Sequence, residues 1–528
     1  MVKYEWWHEA VVYQIYPRSF MDSDGDGIGD LAGIASELDY LSGTLGVDAI
    51  WISPFYPSPM ADFGYDVADY TDVDPMFGTL ADFDALVEGA HERDLRVIID
   101  WVPNHSSSRH PWFVESRSSR DNPKRDWYVW KDPAPDGSEP NNWISVFSGP
   151  AWTFDEHTGQ YYLHSFLAEQ PDINWRNDET RAAMLDTLRF WLRRGVDGFR
   201  LDACHFAMKD PLYRSNPMLD VPRHGYKNLG EYDSFEHIHD RGHPDIHGLF
   251  REVRAILDEF SADRPRFSVG EIHLEGEEWA SYYGNGDELH MPYYFGMLHG
   301  DWTAAWARDV VETQERVLPP GAWPNHVLGN HDEIRIATRY GERRARLATL
   351  MLLTLRGTPT IYYGDELGMA QAEIPPDRQQ DPWGRRQPGL GRDGCRTPMQ
   401  WTIGEHAGFT TGRPWLATVD PDRTRNVEAQ LRDPDSMLSL TRRLIEVRKG
   451  SRALRTGPYE AIEGLPETVF AYLRRAGGET VHVYLNFGDE PVRVPAEGTL
   501  LVATQSAGSG PVDGVLMLDG LDGAVLGS

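Results

Sequence analysis

The sequence predicts an α/β fold: a (β/α)8 barrel of the TIM type, with a small domain inserted after its third strand and an antiparallel β domain at its C-terminal end. Three observations lead there. Short apolar, β-branched runs alternate with amphipathic helical stretches along most of the chain. Several runs, Arg96-Val-Ile-Ile-Asp100 among them, are almost continuously apolar, as strands covered on both faces are. After about residue 455 the alternation gives way to short strands punctuated by Gly and Pro.

The eight predicted strands are Ala10–Pro17, Asp48–Pro54, Arg96–Pro103, Val196–Ala203, Arg266–Ile272, Glu288–Phe295, Asn325–Asp332 and Pro359–Glu366. Between them lie helices such as Thr79–Asp94, opened by a Thr79/Asp82 capping box, and Asp178–Arg194. The latter sets Met184, Leu185, Leu188, Trp191 and Leu192 on one face. The stretch after strand three is rich in Ser, Pro, Trp and Tyr and too long for a plain loop. The expected domains are therefore a barrel in two parts, residues 1–103 and 171–455, an insert at 104–170, and a β-sandwich at 456–528. The glycine-rich tail from Gly508 reads as a loose strand or a frayed end.

Acidic residues outnumber basic ones by 82 to 51 in 528 residues, a formal charge of −31. Such a field repels phosphate backbones and anionic lipid, so neither nucleic acid nor membrane is an expected partner. Only six of the 51 basic residues are lysine, which fits either a GC-rich genome or adaptation to salt. Two cysteines, Cys204 and Cys395, make no disulfide framework. No apolar run reaches 18 residues, and the Met1–Trp7 start has no leader pattern, so the expected location is the cytoplasm. The sequence assigns no oligomeric state.

In a barrel of this type chemistry sits at the C-terminal ends of the strands. Four predicted strands end in a carboxylate: Asp100, Asp202, Glu271 and Asp332. Polar groups flank them, namely Asn104 and His105, Arg200, His273, and Asn330 with His331. Clustered carboxylates repel, which raises the pKa of at least one member and creates an acid/base pair. Glycoside hydrolysis uses such a pair: one carboxylate attacks the anomeric carbon while the other protonates the leaving oxygen. Arg200, two residues from Asp202 on the same strand face, is placed to hold that carboxylate ionised. Glu271 is expected to start protonated beside a negative Asp202.

Asp100-Trp-Val-Pro-Asn-His105, Gly198-Phe-Arg-Leu-Asp-Ala203, Gly270-Glu-Ile-His273 and Asn330-His-Asp332 resemble the four conserved regions of the α-amylase superfamily, glycoside hydrolase family 13. Gln170-Pro-Asp-Ile-Asn-Trp175 resembles the fifth region of its oligo-1,6-glucosidase and α-glucosidase branch. The resemblance implies that Asp202 is the nucleophile, Glu271 the general acid/base and Asp332 the transition-state stabiliser. Asp100 and Arg200 would support the nucleophile, while His105 and His331 bond the sugar hydroxyls. Ala61-Asp-Phe-Gly-Tyr65 resembles the element that closes the pocket in exo-acting members, placing Asp62 and Tyr65 on the terminal glucose. Gly391-Arg-Asp-Gly-Cys-Arg396 is also characteristic of the branch, and its Arg396 would meet the sugar near Asp62. Phe147 and Phe166 of the insert either wall the same site or pack in its core. The resemblance links Ala203, directly after the nucleophile, to α-1,4 rather than α-1,6 linkages.

The loop Asp22-Ser-Asp-Gly-Asp-Gly-Ile-Gly-Asp30 alternates acidic residues but has Gly33 where an EF-hand needs its bidentate glutamate. Asp22, Asp24, Asp26 and Asp30 with the Ile28 carbonyl still form a set of hard oxygen donors. Related α-glucosidases bind calcium or magnesium there, so a structural Ca²⁺, with Mg²⁺ as the other candidate, is expected, and no organic cofactor. The expected function is a retaining, exo-acting α-glucosidase on α-linked disaccharides and short oligosaccharides, with transglucosylation. A trehalose synthase or sucrose-acting glucosyltransferase or hydrolase of the same fold shares these motifs and is the other reading.

Overall fold

The computed structural model describes residues 4–223, 227–419, 424–505 and 509–528. Eight parallel strands form the barrel sheet: Val12–Ile15, Ala49–Ile52, Arg96–Trp101, Gly198–Leu201, Phe267–Gly270, Met291–Pro292, Asn325–Val327 and Thr358–Tyr362. The eighth pairs with the first, so the sheet wraps round on itself. One seam, between the sixth and seventh strands, lacks ladder pairing. Asn325 spans it with its side chain, donating from Nδ2 to the Pro292 carbonyl at 2.5 Å and accepting from the Tyr294 amide at 3.2 Å.

Strand alternation sorts the side chains into two layers. Val12, Ala49, Trp51, Ile98, Phe267 and Val269 fill the barrel interior, while Tyr13, Ile50, Ile52, Val97, Ile99, Phe199 and Leu201 face the helices. The same parity carries Gln14, Asp100, Arg200 and Asp202 inward. Gly198 opens its strand because a Cβ there would meet the Phe267 carbonyl oxygen at 2.8 Å.

The strands are shorter than the sequence suggests, and the sixth keeps only two paired residues. Asp100 lies within its strand and Asp202 and Glu271 directly follow theirs, but Asp332 sits five residues past Val327, in a loop. The expectation that all four carboxylates end strands is corrected at Asp332. Two predicted helices form over Leu80–His91 and Asp178–Arg193. Thr79 and Asp82 make the capping box of the first, and the second buries the five predicted apolar residues.

Within residues 104–170, Trp130–Lys131, Gln160–Leu163 and Trp152–Asp155 form a three-stranded sheet over a cluster containing Trp143 and Trp152. At the C-terminal end a six-stranded antiparallel sheet faces the pair Val492–Pro495 and Val515–Leu518. The tail is not frayed: Gly523–Gly527 lies between Glu479–Asn486 and Gly498–Ala503 in the middle of the larger sheet. Residues 506–508, where the tail was expected to begin, lie outside the described residues. Gly364-Asp-Glu366 is built into the scaffold, with Asp365 on Arg335 and Glu366 accepting from Tyr13. No helix among the described residues is long and apolar enough to cross a membrane.

Replacing Asn325 with Leu should strand two buried backbone groups across the seam, the Pro292 carbonyl and the Tyr294 amide. The expected loss is about 2–4 kcal/mol of unfolding free energy, measured by urea titration.

Candidate active site

The parity that fills the barrel also stacks its charged residues at one mouth. Asp100 is the register partner of Arg200 on the next strand, and Asp202 follows Arg200 by two, on the same face. Arg200 Nη1 donates to Asp100 Oδ1 and to Asp202 Oδ1, each at 2.7 Å. Its Nη2 meets Glu271 Oε2 at 2.8 Å. All four residues are buried. Three carboxylates thus share one guanidinium, leaving an excess of negative charge in a buried site.

That excess shows in the protonation balance. Burial pushes Asp100 up to about 6, against the pull of Arg200. Burial raises Asp202 well above the usual carboxylate range, with the charges of Glu271, Asp100 and Asp332 adding to it against Arg200. Glu271 goes the other way. Against burial, Arg200 and the His273 hydrogen bond hold it below the ordinary range. The two carboxyls thus shift in opposite directions. The reason is geometric: Glu271 Oε2 also accepts the Ala203 amide at 2.8 Å, and Oε1 lies 2.9 Å from His273 Nε2.

Asp332 belongs to a second cluster. Its Oδ1 accepts from Arg396 Nη2 at 2.8 Å and from Arg392 Nη1 at 3.1 Å, and His331 Nε2 lies 3.3 Å from Oδ2. Against burial, these three neighbours hold its carboxyl well below the usual range. Arg392 also donates from Nη2 to Asp62 Oδ1 at 2.6 Å. Asp381 grips it from behind, taking Nε at 3.0 Å and Nη2 at 2.8 Å.

The arginine beside Asp62 is thus Arg392, and Arg396, fully buried, turns to Asp332 and the His331 carbonyl. The two arginines are four residues apart in one segment, and spacing alone does not tell which reaches Asp62.

The remaining predicted residues ring these clusters. Tyr65 stacks on His331 with planes 4° apart, and its hydroxyl lies 2.7 Å from His331 Nε2 and 3.3 Å from Asp100 Oδ2. His105 meets the Tyr65 carbonyl at 3.2 Å. Burial lowers His105 to about 4 and His331 to about 3, so both are neutral near pH 7. Phe166 packs on His105 at 5.2 Å. Phe147 is buried against Trp383, and both rings face the Arg392 guanidinium.

Sequence reasoning passed over several partners. Gln170 donates to Asp62 Oδ2 at 3.1 Å and lies 3.0 Å from His105 Nε2; it opens the fifth motif, which was its signal. Trp51 donates to Asp100 Oδ2 at 2.9 Å. Lys209, buried, ties Asn104 Oδ1 to Asp172 Oδ2 at 2.6 Å each and so anchors the insert over the mouth. Lys227, from the long stretch after strand four, reaches the Asp332 carbonyl at 2.7 Å; residues 224–226 of that stretch lie outside the described residues. Cys204 and Cys395 are both buried, on backbone carbonyls of the site.

In the acidic loop, carboxylate oxygens of Asp22, Asp24 and Asp30 lie within 4.8 Å of one another. Asp26 Oδ1 accepts the Ile28 amide at 2.7 Å, and the charges of Asp24, Asp22 and Asp30 surround it. Against burial, Thr410 and the amides of Gly25, Gly27 and Asp24 hold Asp22 below its usual range. Three converging anions on a loop stiffened by its own amides fit a hard divalent cation.

The comparisons with known proteins agree with this geometry. A probable alpha-glucosidase of Rhizobium meliloti (strain 1021) is 46% identical over 498 residues, covering 92% of this chain and 90% of that protein. An oligo-1,6-glucosidase of Parageobacillus thermoglucosidasius is 38% identical over 523 residues, 92% of this chain and 91% of that one. Among solved structures, the alpha-glucosyl transfer enzyme XgtA superposes with a TM-score of 0.91 at 43% identity, covering 99% of this chain and 100% of that chain. The trehalulose synthase MutB reaches 0.89 at 35% identity with the same coverage. The model of the alpha amylase catalytic domain matches residues 14–457, and the chain belongs to this α-amylase family of glycoside hydrolases.

Proposed function

We propose that the protein is a retaining, exo-acting α-glucosidase that removes α-linked glucose from the non-reducing end of disaccharides and short oligosaccharides. The observation that carries this reading is the Arg392 bridge. One guanidinium joins Asp62 to Asp332, with Phe147 and Trp383 against it, and this closes one end of the mouth beside the Asp202/Glu271 pair. A mouth closed there suits a chain terminus better than the middle of a polymer.

In the double displacement, an Asp202 oxygen attacks the anomeric carbon as the glycosidic C–O bond breaks, and Glu271 gives its proton to the departing oxygen. Water or an alcohol then attacks the glucosyl ester, handing its proton back to Glu271. Asp202 and Glu271 contact the same guanidinium, which supports the close spacing of about 5–5.5 Å that retention uses. Turnover needs the proton on Glu271 and a charged Asp202, and Arg200, donating to Asp202 Oδ1 at 2.7 Å, favours the charged form of Asp202. Asp332, ionised, faces the positive charge that grows at the anomeric centre. Attack by an alcohol in the second step is transglucosylation, and the likeness to XgtA favours it.

For linkage we favour α-1,4. Ala203 adopts φ +38°, the left-handed region, which aims its amide at Glu271. A β-branched residue is disfavoured there. The second reading, a sucrose-isomerising or trehalose-forming enzyme, is favoured by the likeness to trehalulose synthases. Proton NMR of maltose, isomaltose, sucrose and trehalose reactions in their first minutes separates the two. The proposal expects free glucose from maltose, and α-glucose first from 4-nitrophenyl α-glucoside, whose leaving group is not a sugar; initial β-glucose from the aryl glucoside excludes retention, and sucrose or maltose converted to an isomer without free glucose overturns the hydrolase. Ala203→Val should lower kcat/KM for maltose relative to isomaltose by roughly tenfold.

We further infer that Asp22, Asp24 and Asp30 hold a structural Ca²⁺, or Mg²⁺ in its place, which would pin the loop after the first strand. Removing it with EDTA should lower Tm by several degrees, reversed by added Ca²⁺. Asp22→Ala should abolish the EDTA effect, and elemental analysis should find one divalent ion per chain in wild type only.

A further inference from the structure

Glu271 has three hydrogen-bond partners, and they differ in kind. The Arg200 guanidinium and the Ala203 amide, both at 2.8 Å from Oε2, can only donate. A carboxyl proton on Oε2 would point at two donors. The third partner, His273 Nε2, lies 2.9 Å from Oε1 and can donate or accept according to tautomer. Of the three, this contact alone tolerates a proton on either side.

The ring is held for that purpose. His273 follows Glu271 by two, so both point the same way from the strand end, while Ile272 between them is buried in the barrel wall. The imidazole stacks on Phe295 at 4.7 Å and 19°, and Phe295 stacks on Tyr293 at 5.8 Å and 18°. Its side chain is 35% accessible, so the ring stands between the buried acid and solvent. The groups facing the pair are few. The His205 ring lies 5.9 Å from His273. His299 lies near His273, and Asp202 and Asp100 lie near Glu271. Arg200 and Asp332 act on Glu271 from the other side.

We propose that His273 is a positioning residue that carries the acid's proton: the pair holds one proton in the Glu271 Oε1–His273 Nε2 hydrogen bond, available to the leaving oxygen in the first displacement. In that step the proton passes to the glycosidic oxygen as its bond to carbon breaks and the Asp202 ester forms. In the second step the attacking water or alcohol loses its proton to the same pair, so the count is restored each cycle. The proton belongs to the pair rather than to either residue, and its loss sets the alkaline limb of activity. This rests on the α-glucosidase reading above.

Without His273 the proton site on Nε2 is gone, and the alkaline limb falls from that of the pair to that of Glu271 alone. Leaving groups that need protonation should then suffer most. The test compares wild type, His273→Gln and His273→Ala on maltose and on 4-nitrophenyl α-glucoside across pH, with circular dichroism confirming the fold. Gln keeps a hydrogen bond to Glu271 but cannot hold the proton, so it separates proton carriage from packing. Both variants should move the alkaline limb of kcat/KM for maltose down by about one pH unit. They should lose roughly tenfold more on maltose than on the aryl glucoside, whose leaving group departs without help. Unmoved limbs, equal losses on the two donors, or a Gln variant that behaves as wild type would overturn the proposal. A wild type that turns over neither donor would instead overturn the α-glucosidase reading, independently of the variants.

Discussion

The site depends on one buried guanidinium. Arg200 meets Asp100, Asp202 and Glu271 at 2.7–2.8 Å, and removing it would leave three carboxylates in a buried mouth with no neighbouring cation between them. A buried charge cluster of this kind is a poor source of stability, because desolvation offsets the Coulombic gain. Its return is functional. It keeps three acids close and fixes the orientation of the Asp202 carboxylate. The rest of the barrel serves this arrangement: alternation aims the four side chains inward, and strand register sets Asp100 beside Arg200.

A second arginine repeats the device. Arg392 joins Asp62 to Asp332 and is gripped by Asp381. The two clusters meet through Tyr65 and His331, which hydrogen-bond and stack between Asp100 and Asp332. Charge in one half of the mouth is therefore tied to the other by a neutral, buried pair. The overall charge of −31 has little part in this; it excludes phosphate-rich partners and leaves the reaction to local geometry.

How much was legible follows from how local each signal is. Asp100, Arg200, Asp202 and Glu271 lie in or directly after strands, so a period of two places them without further knowledge. Asp332 lies in a loop, where no period applies. Arg392 and Arg396 share a segment, and only packing against Phe147 and Trp383 sends the first to Asp62. Lys209 carries no local signal, since its partners Asn104 and Asp172 are far along the chain. The final strand, Gly523–Gly527, lacks the β-branched density that marks a strand in sequence, and its place in mid-sheet comes from neighbours on both sides. In the acidic loop, alternating spacing marked the carboxylates, and among them Asp22, Asp24 and Asp30 converge.

The central claim is that Asp202, held by Arg200, forms the covalent bond to glucose. Its most direct test is trapping with 5-fluoro-α-glucosyl fluoride followed by peptide mass spectrometry. The account predicts one added fluoroglucosyl group, on the peptide containing Asp202, and none in an Asp202→Asn variant. An adduct on Glu271 or Asp332, or turnover near wild type in that variant, would contradict it.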